Sequence, residues 1–414
     1  MAGGRRLIRF VLTRLALASG LAAVLVLAML CIGDRLIERY AVAATLAPED
    51  ATWLRAPAAR QMVAAAFADL DDAPVVDHDV ALISVGGQLP EAPANDSRRL
   101  APTGPLARLD RELVDRAAHI SGAPDRAGAL EARYVSYLLR QITAMPDAYR
   151  GVITGRDAGY DTAGHRLVKT NGQIIDNAYV AWLATQRPRA LAAAVSIHPG
   201  APKAAQRLAR WADDGIRRLA WWPGPQHIDP AGPAVRAITP VLADTGMTVS
   251  LTVGAVTDRL GARTWIAPAS VAALLDRDVP VELRLGESLG PAGQVLMPEL
   301  LALLRQYRGR AGLTINLGGL IATDDGRDLL VGLLQHPQFY DHLVYGSGYP
   351  ESIVAERVRL DALVARGLID SADRAPLADI RATNPLLFVY VLYRRLRLPG
   401  TDLRLPVSVF TAGS

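Results

Sequence analysis

From about residue 74 onward, short runs rich in Val, Ile, Leu and Thr alternate with helical patterns, and this alternation constrains the fold more than any other feature. A chain that repeats strand and helix in this way buries its strands in a parallel sheet with helices laid over it. Candidate strands are 75–85, 151–154, 192–197, 217–222, 248–253, 279–285, 312–317 and 342–345, with helical patterns at 203–213, 234–243, 295–307 and 328–334. Eight parallel strands are the number that closes a barrel. Several strand ends run into glycine, at Val253-Gly254, Leu317-Gly318-Gly319 and Gly346-Ser347-Gly348. Such turns belong to the C-terminal rim, where barrel active sites are built.

The expected fold class is therefore α/β, a (β/α)8 TIM-like barrel over 74–414. A helical insertion at about 88–145, after strand one, is placed to cover the mouth. No internal repeat is evident.

Ahead of the barrel lies a second kind of signal. Residues 15–33 carry no charge and are rich in Leu, Ala and Val, between Arg14 and Asp34. At about 1.5 Å per residue such a helix nearly crosses a ~30 Å hydrocarbon core. Arg5, Arg6, Arg9 and Arg14 precede it, and positive charge keeps that end in the cytoplasm. The expectation is a single-pass signal anchor with a basic cytoplasmic segment at 1–14, a stalk with entry helices at 34–73, and the barrel on the extracytoplasmic, periplasmic side. The competing reading is a cleaved signal peptide with an Ala-x-Ala site at Ala41-Val42-Ala43. The apolar run exceeds the usual ~7–15 residues of a signal core, and Asp34, Arg35, Glu38 and Arg39 intervene before that site.

Charge then narrows the function. Lys and Arg number 45 against 41 acidic residues, a net of +4 that the four N-terminal arginines account for. The body is balanced, which excludes the basic footprint of a nucleic-acid binder. One cysteine, Cys31, excludes an intrachain disulfide and a thiolate cluster. Imidazole chemistry must come from seven histidines, at 78, 119, 165, 198, 227, 336 and 342.

Several blocks in order resemble the amidohydrolase superfamily of metal-dependent hydrolases. They are Val195-Ser196-Ile197-His198-Pro199, Arg217 to Pro223 with His227-Ile228-Asp229-Pro230, Val344 to Pro350, Asn384-Pro385-Leu386-Leu387-Phe388, and Leu405 to Phe410. The resemblance implies a divalent metal at the barrel mouth that lowers the pKa of bound water, with an aspartate at strand eight handling the proton. It also implies ligands at set positions: Asp-x-His-x-His on strand one, a lysine on strand four, and a histidine after each of strands five and six. Against that pattern, Asp79 and Ala81 occupy the strand-one histidine positions in the register of Asp77, and Ala220 the lysine position. Thr252 and Leu285 occupy the next two, Gly348 replaces the aspartate, and Asn316 stands where strand seven often carries another acid. No histidine lies between His227 and His336, so no local shift supplies strands five and six.

The residues that remain as candidates for chemistry are Asp77, His78, Asp79, His198 and His227, which in a rearranged site would hold zinc or manganese. Strand alternation keeps His78 from facing the axis together with its two neighbours unless the strand is bulged. Arg284 and Glu287 near strand six are candidates for a polar or anionic ligand; with Leu285 inward, Arg284 would instead pair with a carboxylate beneath a helix. Asp229 reads as a helix N-cap, and Trp221 and Trp222 as packing residues. The leading expectation is a degenerate, membrane-anchored amidohydrolase-like pseudoenzyme, without cofactor, that binds a ligand or a protein partner at its mouth. The alternatives are a hydrolase of C–N or related bonds with a rearranged or metal-independent site, and a tethered scaffold with a filled mouth.

Overall fold

The computed structural model describes residue 54 and residues 56–412, except 88, 90, 122–127, 147, 168–171, 259–260 and 311. The expected anchor at 15–33 lies outside them. Among the described residues no helix is long and apolar enough to cross a membrane.

Eight parallel strands close into a ring: β1 (Val75–Ala81), β2 (Tyr149–Thr154), β3 (Leu191–Ala194), β4 (Arg218–Trp221), β5 (Thr248–Thr257), β6 (Val281–Leu285), β7 (Leu313–Asn316) and β8 (Leu343–Val344). Ladders join β1 to β2, β2 to β3, and β4 through β8 in sequence order. The last two joints are single bridges. Val195 pairs with Leu219 between β3 and β4, and Val80 with Tyr349 between β1 and β8. His78 N donates to Tyr345 O (3.0 Å) and Ala81 N to Tyr349 O (2.9 Å), which completes the closure.

Helices surround the ring because their sequences carry apolar residues at one-turn spacing. In Ala204–Asp213 the buried side chains are Ala204, Leu208 and Ala212, and in Leu296–Gln306 they include Leu296, Leu300 and Leu304. Each buried leucine stabilises the fold by roughly 1.5–3 kcal/mol. The Asn384 block has a structural use. Its side chain accepts from Leu387 N at the start of helix Pro385–Arg395, whose apolar and tyrosine side chains are all buried.

Two details depart from expectation. Strand β5 runs on to Thr257 and pairs antiparallel with Arg263–Ile266, a hairpin at the rim that the sequence pattern did not suggest. Asp229 is not the cap of helix Pro233–Thr245, which Gly232 begins; its carboxylate accepts from Ala231 N in a local turn. The insertion after β1 is helical, at Pro105–Ala117 and Ala129–Thr143, and Asp110 on its first helix lines the mouth cavity.

Candidate functional site

Strand alternation decides what the barrel encloses. On β5 and β6 the residues Val249, Leu251, Val281 and Leu283 are fully buried in the surrounding core. Their neighbours Thr248, Ser250, Glu282 and Arg284 line the interior together with His78, Val152, Thr154, Ala194, Arg218 and Ala220. Barrel interiors are commonly layers of branched apolar residues. Here the centre is charged and nearly filled, with about 10 Å³ of free space.

Glu282 is the hub of this inner layer. Oε2 lies 2.7 Å from His78 Nδ1 and accepts from Arg218 Nη1 at 3.1 Å. Oε1 accepts from Asn316 Nδ2 at 2.8 Å and Ser250 Oγ at 3.2 Å. Burial by itself would raise the carboxyl, but the charge and hydrogen bond of His78, then Arg218 and Asn316, hold it well below the usual carboxylate range. His78 Nε2 also lies 2.9 Å from Ala412 O, and Nδ1 lies 3.1 Å from Arg218 Nη1, so the protein engages both ring nitrogens.

A bulge in β1 makes this possible. The register of β1 on β2 shifts between Asp77 and Val80. His78 can therefore face the axis while Asp79 reaches the mouth. Asp77 is saturated, accepting from Ser347 N (2.7 Å), Asp79 N (3.0 Å) and Tyr149 Oη (2.7 Å), with its carboxyl raised by burial. His198 is a brace in the loop after β3. Its Nε2 donates to Gln226 O (2.9 Å), its Nδ1 accepts from Gly200 N (3.0 Å), and burial lowers its pKa. His227 is exposed, in a left-handed conformation (φ 58°). The five candidates are thus not one cluster, and only Asp79 opens onto the mouth.

The mouth is a cavity of about 510 Å³ lined by Asp79, Ala81, Gly318, Gly319, Gly348 and Glu351 among others. The Asp79 carboxyl is pushed up to about 7 by burial, against the opposing charge of Arg284. Glycines make room for it: a Cβ at Gly318 would lie 2.4 Å from Asp79 Oδ2, and one at Gly346 2.9 Å from Asp79 Cβ. Gly348 has φ 66°, and a Cβ there would lie 2.5 Å from Gly319 N. An aspartate at 348 would meet both backbone strain and a backbone clash. The departure from the resembled pattern therefore extends to the backbone.

Arg284 is a correction to the sequence reading. It faces the interior beside Thr252, its ladder partner, while Leu285 packs outward against the core. Charged and apolar residues alternate through Val281-Glu282-Leu283-Arg284-Leu285, and that period was the available signal. Arg284 Nη2 donates to Trp221 O at 2.7 Å, and its guanidinium lies 4.5 Å from the Trp222 ring centroid. Arg156, which the sequence did not single out, lies 4.7 Å from the same ring. Trp221 is fully buried packing, but Trp222 is a partly exposed platform for two cations. Burial and the neighbouring positive charge push Arg156 down to about 10. Glu287 takes no part and pairs with Arg263 at 2.5 Å.

A divalent metal does not fit this donor set. Ala81, Ala220 and Gly348 carry no ligand atoms, Arg284 in the layer beneath sets positive charge against Asp79, and among the described residues no three His, Cys, Asp or Glu side chains are grouped to hold an ion.

No family model and no curated protein matches the chain. Among solved structures it is similar to an uncharacterised TIM-barrel protein from Bordetella bronchiseptica, at 15% identity and TM-score 0.41 over 74% of this chain and 99% of that one. It is also similar to a protein described as amidohydrolase II, at 12% identity and TM-score 0.37 over 77% and 99%. A third is 5-carboxyvanillate decarboxylase from Novosphingobium aromaticivorans, complexed with manganese and a nitrobenzoic acid, at 11% identity and TM-score 0.38 over 75% and 94%. The eight-stranded barrel of this chain stands on its own strand pairing.

Proposed function

We propose that the chain is a membrane-tethered barrel that binds a ligand at its mouth, in place of the metal-dependent hydrolysis that the sequence resemblance implies. The observation that carries this reading is the mouth itself, a 510 Å³ cavity where Ala81 and Gly348 supply no ligand atoms and Arg284 stands nearby. The open cavity favours a ligand over a purely structural scaffold, whose mouth would be filled. Residues 15–33 anchor the protein, and the charge of 1–14 sets the barrel on the extracytoplasmic side.

Two experiments test it. Zinc and manganese titrated into the full-length chain in detergent are expected to bind no tighter than to a denatured control. Tight binding abolished by Asp79→Asn would replace this reading with the rearranged hydrolase. A phosphatase fused after Ser414 is expected to be active and a cytoplasm-dependent fluorescent protein dark; the reverse pair refutes the orientation.

A second reading has its own support. Asp79 is a carboxyl near neutrality with no hydrogen bond to its side chain among the described residues, and it opens into the cavity. Such a group suits metal-independent acid–base work on a C–N or related bond. Turnover of an amide or ester panel, lost in Asp79→Asn while binding persists, would favour that enzyme.

A further inference from the structure

The cavity at the barrel mouth is short of positive charge. Its lining carries three carboxylates, Asp79, Asp110 and Glu351, against one cation, Arg357. That cation is already engaged on both sides. Nη2 donates to Asp110 Oδ1 on the insertion helix and Nη1 to Glu351 Oε2 at 3.1 Å, which ties the helix to the rim after β8. One arginine offsets one of these two carboxylates, so the lip keeps a net negative charge.

Exposed carboxylates such as Asp110 and Glu351 would by themselves be screened by solvent. Asp79 is placed differently. Its carboxyl is surrounded by protein and opens onto the cavity, and among the described residues it neither accepts a hydrogen bond nor joins an ion pair. Arg284 in the layer beneath attracts it, but Asp77, Glu282 and Glu351 repel it, and with burial they outweigh that attraction. The cavity wall above the carboxyl adds no donor side chain at Ala81, Gly318, Gly319, Ala322 or Gly348. A Cβ at Gly318 would lie 2.4 Å from Asp79 Oδ2, so the glycine keeps that oxygen accessible.

We propose that the mouth holds a small organic amine, with its ammonium group seated on Asp79 and its apolar part against the alanine and glycine wall. An ammonium brings three donors and a full positive charge to a carboxylate that lacks both. It needs no preassembled set of ligands of the kind a metal ion requires, and the negative lip draws it in. A cavity of about 510 Å³ lies within the range of small-molecule sites. The proposal rests on the binding reading above and names the chemistry of its ligand. Because the ionised carboxyl is the form that binds, affinity should rise with pH through about 7 and level off above it.

The test uses the full-length chain in detergent at constant ionic strength, with benzylamine, benzyl alcohol and benzoate titrated separately by calorimetry. The three probes share a ring and differ in charge. Benzylamine is expected to saturate at pH 8 and to bind at least tenfold more weakly at pH 5. Asp79→Asn should weaken it at least tenfold at pH 8 and remove the pH dependence. Asp402→Asn, which alters an exposed carboxylate outside the cavity, should leave binding as it was. Wild-type affinity that is flat from pH 5 to pH 8 would overturn the amine site without recourse to a variant. So would affinity within twofold of wild type in Asp79→Asn, or equal weakening in Asp402→Asn. If benzyl alcohol or benzoate binds as tightly as benzylamine, the amine falls and the binding reading stands. If none of the three saturates, both fall.

Discussion

Glu282 and Arg284 stand two residues apart on β6 and both face the barrel interior, yet their surroundings obey different requirements. Around Glu282, four side chains supply donors to the two carboxylate oxygens, and His78 is satisfied on its far side by Ala412 O. Around Arg284 stand a second arginine, an aromatic face and a carboxyl that has no hydrogen bond among the described residues. A fully connected buried network specifies one arrangement of the strands, whereas unmatched polar groups cost stability unless something else completes them. The inner layer belongs to the architecture.

The largest expected effect tests the inner layer. Glu282→Ala leaves Arg218 without its buried counter-charge and His78, Asn316 and Ser250 without their acceptor, and should cost about 3–5 kcal/mol in equilibrium denaturation. The loss also has a pH signature. The folded Glu282 carboxyl lies below its ordinary value, so its contribution is present above about pH 4.5 and is lost as pH falls. Wild type should lose stability on acidification through that window more steeply than the variant. A cost under ~1 kcal/mol would erase the distinction between the layers.

Next comes the backbone of the rim. Gly348→Asp should cost about 2–4 kcal/mol, from left-handed strain together with the approach to Gly319 N. If it folded at wild-type stability and bound zinc, the resembled catalytic aspartate would be restorable and the rim more pliant than its geometry shows.

Asp79→Asn should act in the opposite direction. The Asp79 carboxyl is raised to about 7 from 3.8, so the folded state holds a proton that the unfolded state has released between those values. Its contribution is complete below about pH 3.8 and lost as pH rises through 7. The variant should therefore be more stable by roughly 1–2 kcal/mol at pH 8, after discounting for partial exposure, and nearly unchanged at pH 4. Equal effects at both pH values would show that burial is not what perturbs the group.

The smallest effect is expected at the arginine pair. Arg284→Met gives up one hydrogen bond and one buried charge, which offset each other to within about 1 kcal/mol by thermal melting. A destabilisation as large as that of Glu282→Ala would make Arg284 a structural residue like its neighbour.

How much of this was legible in the residues alone differs between the two layers. The ring of eight strands was readable because β-branched runs and helical periods are local signals, and the rim glycines marked the strand ends. Residues 15–33 are equally local in their message, a run without charge. The site was less legible. Asp79, Ala81, Thr252, Leu285 and Gly348 were expected around one mouth; Asp79, Ala81 and Gly348 line one cavity, Thr252 is not among its lining residues, and Leu285 was placed inward where Arg284 is. Had the alternation through Val281 to Leu285 been given more weight than the resemblance, the two would have been assigned correctly. The β1 bulge had no such cue, and without it His78 could not share the axis with Glu282, 204 positions away.

By itself, then, the sequence determined the strand and helix periods, the number of strands, the charge asymmetry around residues 15–33 and the shortage of histidine. Each is a property of neighbours along the chain. Which polar groups are satisfied and which are left open was decided only by ring closure, because hydrogen-bond partners such as His78, Arg218 and Glu282 come from different strands and meet only across the axis. The same holds for Arg156 and Arg284, which come from distant parts of the chain and reach one indole only in the closed barrel.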